Sequence, residues 1–114
     1  MRDIVKATDN YRDNLGFTEF MFWGEPPCWC VAHFGEATLM LSKPEGETQI
    51  LPNFSQDKYT PDAHILVDDA RAHYGFCKAN GAKIVEELRE APYGMLEFVV
   101  QDIDGYAIMI GQDL

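Results

Sequence analysis

One pattern occurs twice in this chain, and the duplication restricts its fold more than any other feature. Asp3 opens a helical stretch in which Ile4, Ala7 and Tyr11 recur at steps of three and four through Asn14, and Gly16 closes it. Asp69 opens a second such stretch through Asn80, closed by Gly81. Three strand-like runs follow each helix: Thr18 to Trp23, Trp29 to Phe34 and Ala37 to Ser42 in the first half, then 82–88, Met95 to Gln101 and Tyr106 to Gln112 in the second. Gly35-Glu36 and the run Asp102-Ile103-Asp104-Gly105 are the hairpin turns. A short run, Ala63 to Asp69, precedes the second helix, whereas the first helix starts too near Met1 for a full strand before it.

Residues 43–62 hold three prolines and many polar side chains without a period, so they read as a connection between a first module, 1–42, and a second, 63–114. At 114 residues the two modules fit one domain, which buries roughly two thirds of the extended chain's surface. A composition of 46% hydrophobic and 25% charged residues excludes disorder and fibres. The formal charge of −10 repels polyanions, so nucleic acid and anionic membranes are not expected partners. No apolar run is long enough to span a bilayer and the start lacks a signal core, so a cytoplasmic location is expected. Cys28, Cys30 and Cys77 match neither a zinc knuckle nor a Cys-x-x-Cys redox pair, and read as small apolar fillers in a reducing compartment.

Alternation assigns faces to the last strand of each module. In Thr38-Leu39-Met40-Leu41 and Ala107-Ile108-Met109-Ile110, the residues Leu39, Leu41, Ile108 and Ile110 meet the helices, and Met40 and Met109 face the opposite side. His64, on the strand before the second helix, is the sharpest ligand-contact candidate. A soft copper site of Met40, Met109 and His64 is weaker than apolar pocket lining. Trp23, Trp29 and Phe22 either line a flat cleft or fill core, and Phe22, by alternation, cannot share a face with Trp23. Tyr93 and Glu97 are further candidates, Glu97 having an ordinary solvent-facing reading. The turn at 102–105 lacks the ligand series of a calcium loop, and no serine-hydrolase, phosphate-loop or dinucleotide motif occurs.

The stretches DIVKATDNYRDNLGF, HILVDDARAHYGFCKANGAKI and YGMLEFVVQDIDGYAIMIGQ together resemble the vicinal oxygen chelate superfamily: glyoxalase I, extradiol dioxygenases, fosfomycin resistance enzymes and bleomycin resistance proteins. The resemblance implies an α+β fold of tandem βαβββ modules forming a cupped mixed sheet with helices on the outer face, here with the first strand short or missing. It also implies a homodimer. Metal-dependent members hold their ion with a His on the first strand, a Glu on the fourth, a His on the fifth and a Glu on the eighth. Only His64 matches; Met40 and Met109 stand at the carboxylate positions, and no cofactor or metal is expected, since one imidazole and two uncharged thioethers do not retain a divalent ion. The chain therefore looks closest to the metal-free bleomycin-resistance-like branch, a protein that sequesters a cationic or aromatic small molecule against His64, Met40, Met109, Trp23, Trp29 and Tyr93. The alternative is a metal-dependent lyase or dioxygenase that recruits an ion with help from a second subunit. Without a first strand the edge of Ala37 to Ser42 needs a cover, either a partner chain or a strand from an upstream start.

Overall fold

The structure, a computed structural model, describes residues 3–43, 51–52 and 61–114. Most of the expected connection, 44–50 and 53–60, lies outside them. The two helices are α1 (Ile4–Asp13) and α2 (Ala70–Ala79). Each starts where an aspartate satisfies a free backbone donor: Asp3 Oδ1 accepts from Lys6 N at 3.1 Å, and Asp69 Oδ1 from Ala72 N at 3.0 Å. Each stops at a glycine in the left-handed region, Gly16 with φ of 86° and Gly81 with φ of 76°.

The strands are β1 (Glu19–Trp23), β2 (Trp29–Phe34), β3 (Ala37–Ser42), β4 (Ala63–Leu66), β5 (Lys83–Ala91), β6 (Met95–Gln101) and β7 (Ala107–Asp113). They form an α+β fold with two sheets: antiparallel β1-β2-β3, and mixed β4-β7-β6-β5 in which β4 runs parallel to β7. The second module is a complete βαβββ unit, and in the first no strand precedes α1 among the described residues.

Three details differ from expectation. The two half-sheets are not hydrogen-bonded to each other: β4 occupies the position beside β7, while the matching position beside β3 carries no strand among the described residues. A cleft of about 280 Å³ lies there instead, lined by Leu39, Met40, Leu41, Ala63 and Ile108 among others. The strand expected to reach Asp69 stops at Leu66, which leaves Asp69 free to cap α2. β5 runs three residues beyond its expected end at Leu88, because Arg89 and Ala91 pair with Glu97 and Met95 after two register shifts.

One apolar core joins both sheets. It takes Ile4, Ala7 and Tyr11 from α1, Cys30, Ala32 and Leu41 from the first sheet, and Phe98, Val100, Ile108 and Ile110 from the second. Burying side chains of this size stabilises the fold by about 1.5–3 kcal/mol each for the larger ones. Leu41, Ile108 and Ile110 are fully buried and Leu39 packs against the core, as alternation requires. Cys30 and Cys77 are buried fillers, and all three thiols are free.

Each helix also meets the hairpin turn of the other module. At the first junction α1 is tied by polar bonds. Tyr11 Oη donates to Asp102 Oδ2 at 2.7 Å, and Ile103 N donates to Asn10 Oδ1 at 2.8 Å. Asp102 Oδ1 also accepts the amides of Asp104 and Tyr106. At the second junction α2 meets the β2–β3 turn through rings: His73 lies edge-on to Phe34 with centroids 4.4 Å apart, and its Nε2 reaches the carbonyl of Leu15 at 2.5 Å.

Candidate functional site

Strand register places the candidates on the faces turned away from the helices. On the first sheet, Trp23 pairs with Trp29 and Val31 with Met40, so these side chains share the face opposite Cys30, Ala32 and Leu41. Trp23 and Trp29 stack, centroids 6.3 Å apart and planes inclined by 20°. The face is open: Met21 is 66% exposed, Trp23 62% and Met40 74%. His33 lies on it as well, 3.2 Å from Thr38 Oγ1. Phe22 pairs with Cys30 and so belongs to the other face.

On the second sheet His64 and Met109 are register partners, whereas Met40, expected beside them, lies on the first sheet. Gly111, next along the same face of β7, opens space between that pair and β6. A Cβ there would fall 3.0 Å from Met95 Cε, 3.5 Å from His64 Nε2 and 3.7 Å from Glu97 Cβ. A glycine inside a strand is the sequence signal for such a close approach, and Gly111 and Met95 escaped the sequence reading.

Glu97 overturns its expected solvent exposure, being 1% exposed. β6 is the inner neighbour of both β5 and β7, and Arg89 and Tyr93 cover the carboxyl group. Arg89 Nη2 donates to Glu97 Oε1 at 3.2 Å, and the Tyr93 hydroxyl donates to the same oxygen. Glu97 Oε2 is buried with no partner among the described residues. Donation to Glu97 is the main reason the Tyr93 phenol sits above its usual pKa. A buried carboxyl oxygen without a donor is unfavourable until a ligand or solvent donor reaches it.

The structure thus gathers Trp23, Trp29 and Met40 on one sheet, and His64, Met109, Glu97 and Tyr93 on the other. The donor set does not match the ion that metal-dependent relatives hold. Among the described residues no three His, Cys, Asp or Glu side chains converge, and the neighbour of His64 is a thioether.

These features define a duplicated α+β protein whose strand faces turned away from the helices carry rings, sulfur and one buried carboxyl. The profile of the Glyoxalase/Bleomycin resistance protein/Dioxygenase superfamily matches residues 1–110, and the chain belongs to that superfamily. Its fold is similar to that of TioX from Micromonospora sp. ML1, at 19% identity over 100% of this chain and 90% of that one, with a TM-score of 0.75. A glyoxalase/bleomycin resistance protein/dioxygenase from Alicyclobacillus acidocaldarius gives 16% identity, 100% and 86% coverage and a TM-score of 0.72. Lactoylglutathione lyase from Agrobacterium tumefaciens gives 19% identity, 97% and 86% coverage and a TM-score of 0.68. No curated protein matches the chain.

Proposed function

We propose that this chain is a metal-independent binding protein that sequesters a cationic, ring-bearing drug or metabolite in the cytoplasm. The observation that carries the reading is the pairing of an exposed, stacked Trp23–Trp29 wall with methionines at both positions where the family resemblance puts carboxylate ligands. Stacked indoles attract planar cations through their faces, and thioethers adapt to an apolar guest. The formal charge of −10 and the unpartnered Glu97 Oε2 favour a positive guest over a negative one. His64, Met109 and Tyr93 complete the contact set on the second sheet. The working form is a homodimer, in which a second copy covers the outer edge of β3. Free thiols at all three cysteines suit a reducing compartment.

Acriflavine, a planar aromatic cation, tests the reading through quenching of tryptophan fluorescence. Saturable quenching that is equal with and without EDTA, and at least about tenfold weaker in Trp23→Ala, is the expected result. Binding that requires added Zn²⁺, Mn²⁺ or Fe²⁺ overturns metal independence in favour of the lyase or dioxygenase alternative. Absence of quenching overturns the cationic guest. Sedimentation showing a monomer at high concentration removes the homodimer.

A further inference from the structure

A cavity of about 550 Å³ lies at the second junction, among α2, the β2–β3 turn and the segment that joins β4 to α2. Its apolar walls are Phe34, Leu66, Val67, Ala72 and Phe76, and none of the residues proposed above to hold the guest lines it. Its size is that of a small-molecule site. Glu36, Asp68 and Asp69 line it, and no lysine or arginine does. Carboxylates facing an apolar, aromatic hollow without a counter-cation complement a positive group on an apolar body.

His73 bears on the charge of the wall. It lines the cavity, is 4% exposed, and its Nδ1 has no partner among the described residues. The Leu15 carbonyl can only accept, so the ring proton sits on Nε2, and Nδ1 of the neutral ring is a lone-pair acceptor. Burial disfavours the imidazolium and keeps the ring neutral. Neutral, and closed off at Nδ1, the ring adds no positive charge to the wall that would oppose a cationic guest.

From this geometry we infer that the cavity is a second ligand site, specific for a protonated amine carrying an aromatic or aliphatic body. The body packs on Phe34 and Phe76, and the ammonium lies towards Glu36, Asp68 and Asp69. The polar cleft at the first junction, about 490 Å³, differs in kind: Lys83 lines it together with Asp102 and Asp104.

The probe is 2-phenylethylamine, compared with 3-phenylpropionate as its anionic counterpart, followed by two-dimensional NMR on the full chain. Saturable shifts at Phe34, Ala72 and Phe76 with the amine, none with the acid, are expected. The exposed double variant Glu36→Gln with Asp68→Asn should weaken the amine about tenfold while leaving the fold intact. Trp23→Ala should leave it unchanged, which separates this site from the tryptophan face. Equal binding of acid and amine, no binding of the amine at millimolar concentration, or loss in Trp23→Ala without loss in the double variant would each overturn the inference.

Discussion

The two helix–turn junctions occupy equivalent places in the repeat and are built from opposite materials. At the first, Tyr11, Asn10 and the 102–105 turn form a hydrogen-bonded knot around a mostly buried aspartate. At the second, Phe34, His73 and Phe76 surround a hollow, and His73 and Cys77 both bond to one carbonyl, that of Leu15. A duplicated chain needs only one rigid joint between its halves. The contrast teaches that the other joint is free to become a ligand pocket.

Four experiments press on that contrast. The largest effect is expected from Tyr11→Phe, which removes the donor to Asp102 Oδ2 and leaves that oxygen short of a partner. A loss of about 1–3 kcal/mol in denaturant unfolding is expected. Burial, the main influence, already raises the Asp102 pKa, and the Tyr11 bond lowers it, so the variant raises it further. The deficit is therefore larger at pH 7 than at pH 3.

Next come the two helix-ending glycines. Gly81→Ala meets only Asn14 Nδ2 at 4.0 Å, so left-handed strain alone sets its cost, about 1 kcal/mol. Gly16→Ala adds contacts of 3.1 Å to His73 Nε2 and 3.2 Å to Phe76 Cδ1, and should cost about 2 kcal/mol or more while disturbing the aromatic junction. Equal losses by thermal unfolding would show that the ring junction yields freely.

Acid should then separate the joints. The His73 pKa is lowered from 6.5, mainly by burial, so the unfolded chain takes up the proton first. Its stabilising share is complete above pH 6.5 and is lost as pH falls through the folded value. Asp102 has the opposite sign: its pKa is raised from 3.8, so its share is complete below 3.8 and is lost as pH rises through the folded value. Amide exchange at Phe17, beside the Leu15 carbonyl, should quicken below pH 6.5 while the amide of Ile103 stays protected. His73→Phe should abolish the slope. The smallest effect concerns thiols. Burial raises Cys77, at the ring junction, to about 12, so iodoacetamide at pH 8 should label half-buried Cys28 and spare Cys77.

Much of this architecture was legible in the sequence, because its signals are local. Asp3 and Asp69 cap the helices and Gly16 and Gly81 end them, and alternation placed Leu41 and Ile110 inside and Met40 outside. What escaped depends on partners distant in sequence. Tyr11 and Asp102 are 91 residues apart, and no period in either segment announces their bond. Glu97 read as a solvated charge because residue type sets the expectation, whereas Arg89 and Tyr93, eight and four residues away, close over its carboxyl group. Gly111 carried a signal, a glycine within a strand, but only register with Glu97 and Leu66 gives it a meaning.

The outer side of β3 has a consequence for handling the protein. Among the described residues it ladders to β2 alone, and Met40 stands largely bare on it. Such a margin is a template for sideways stacking of copies, which mutual repulsion of net-negative chains opposes. That repulsion vanishes near the sequence pI of about 4.5 and is screened beyond about 8 Å in physiological salt. Acidification therefore removes colloidal protection as well as the stabilising share of His73, and precipitation should begin at this margin.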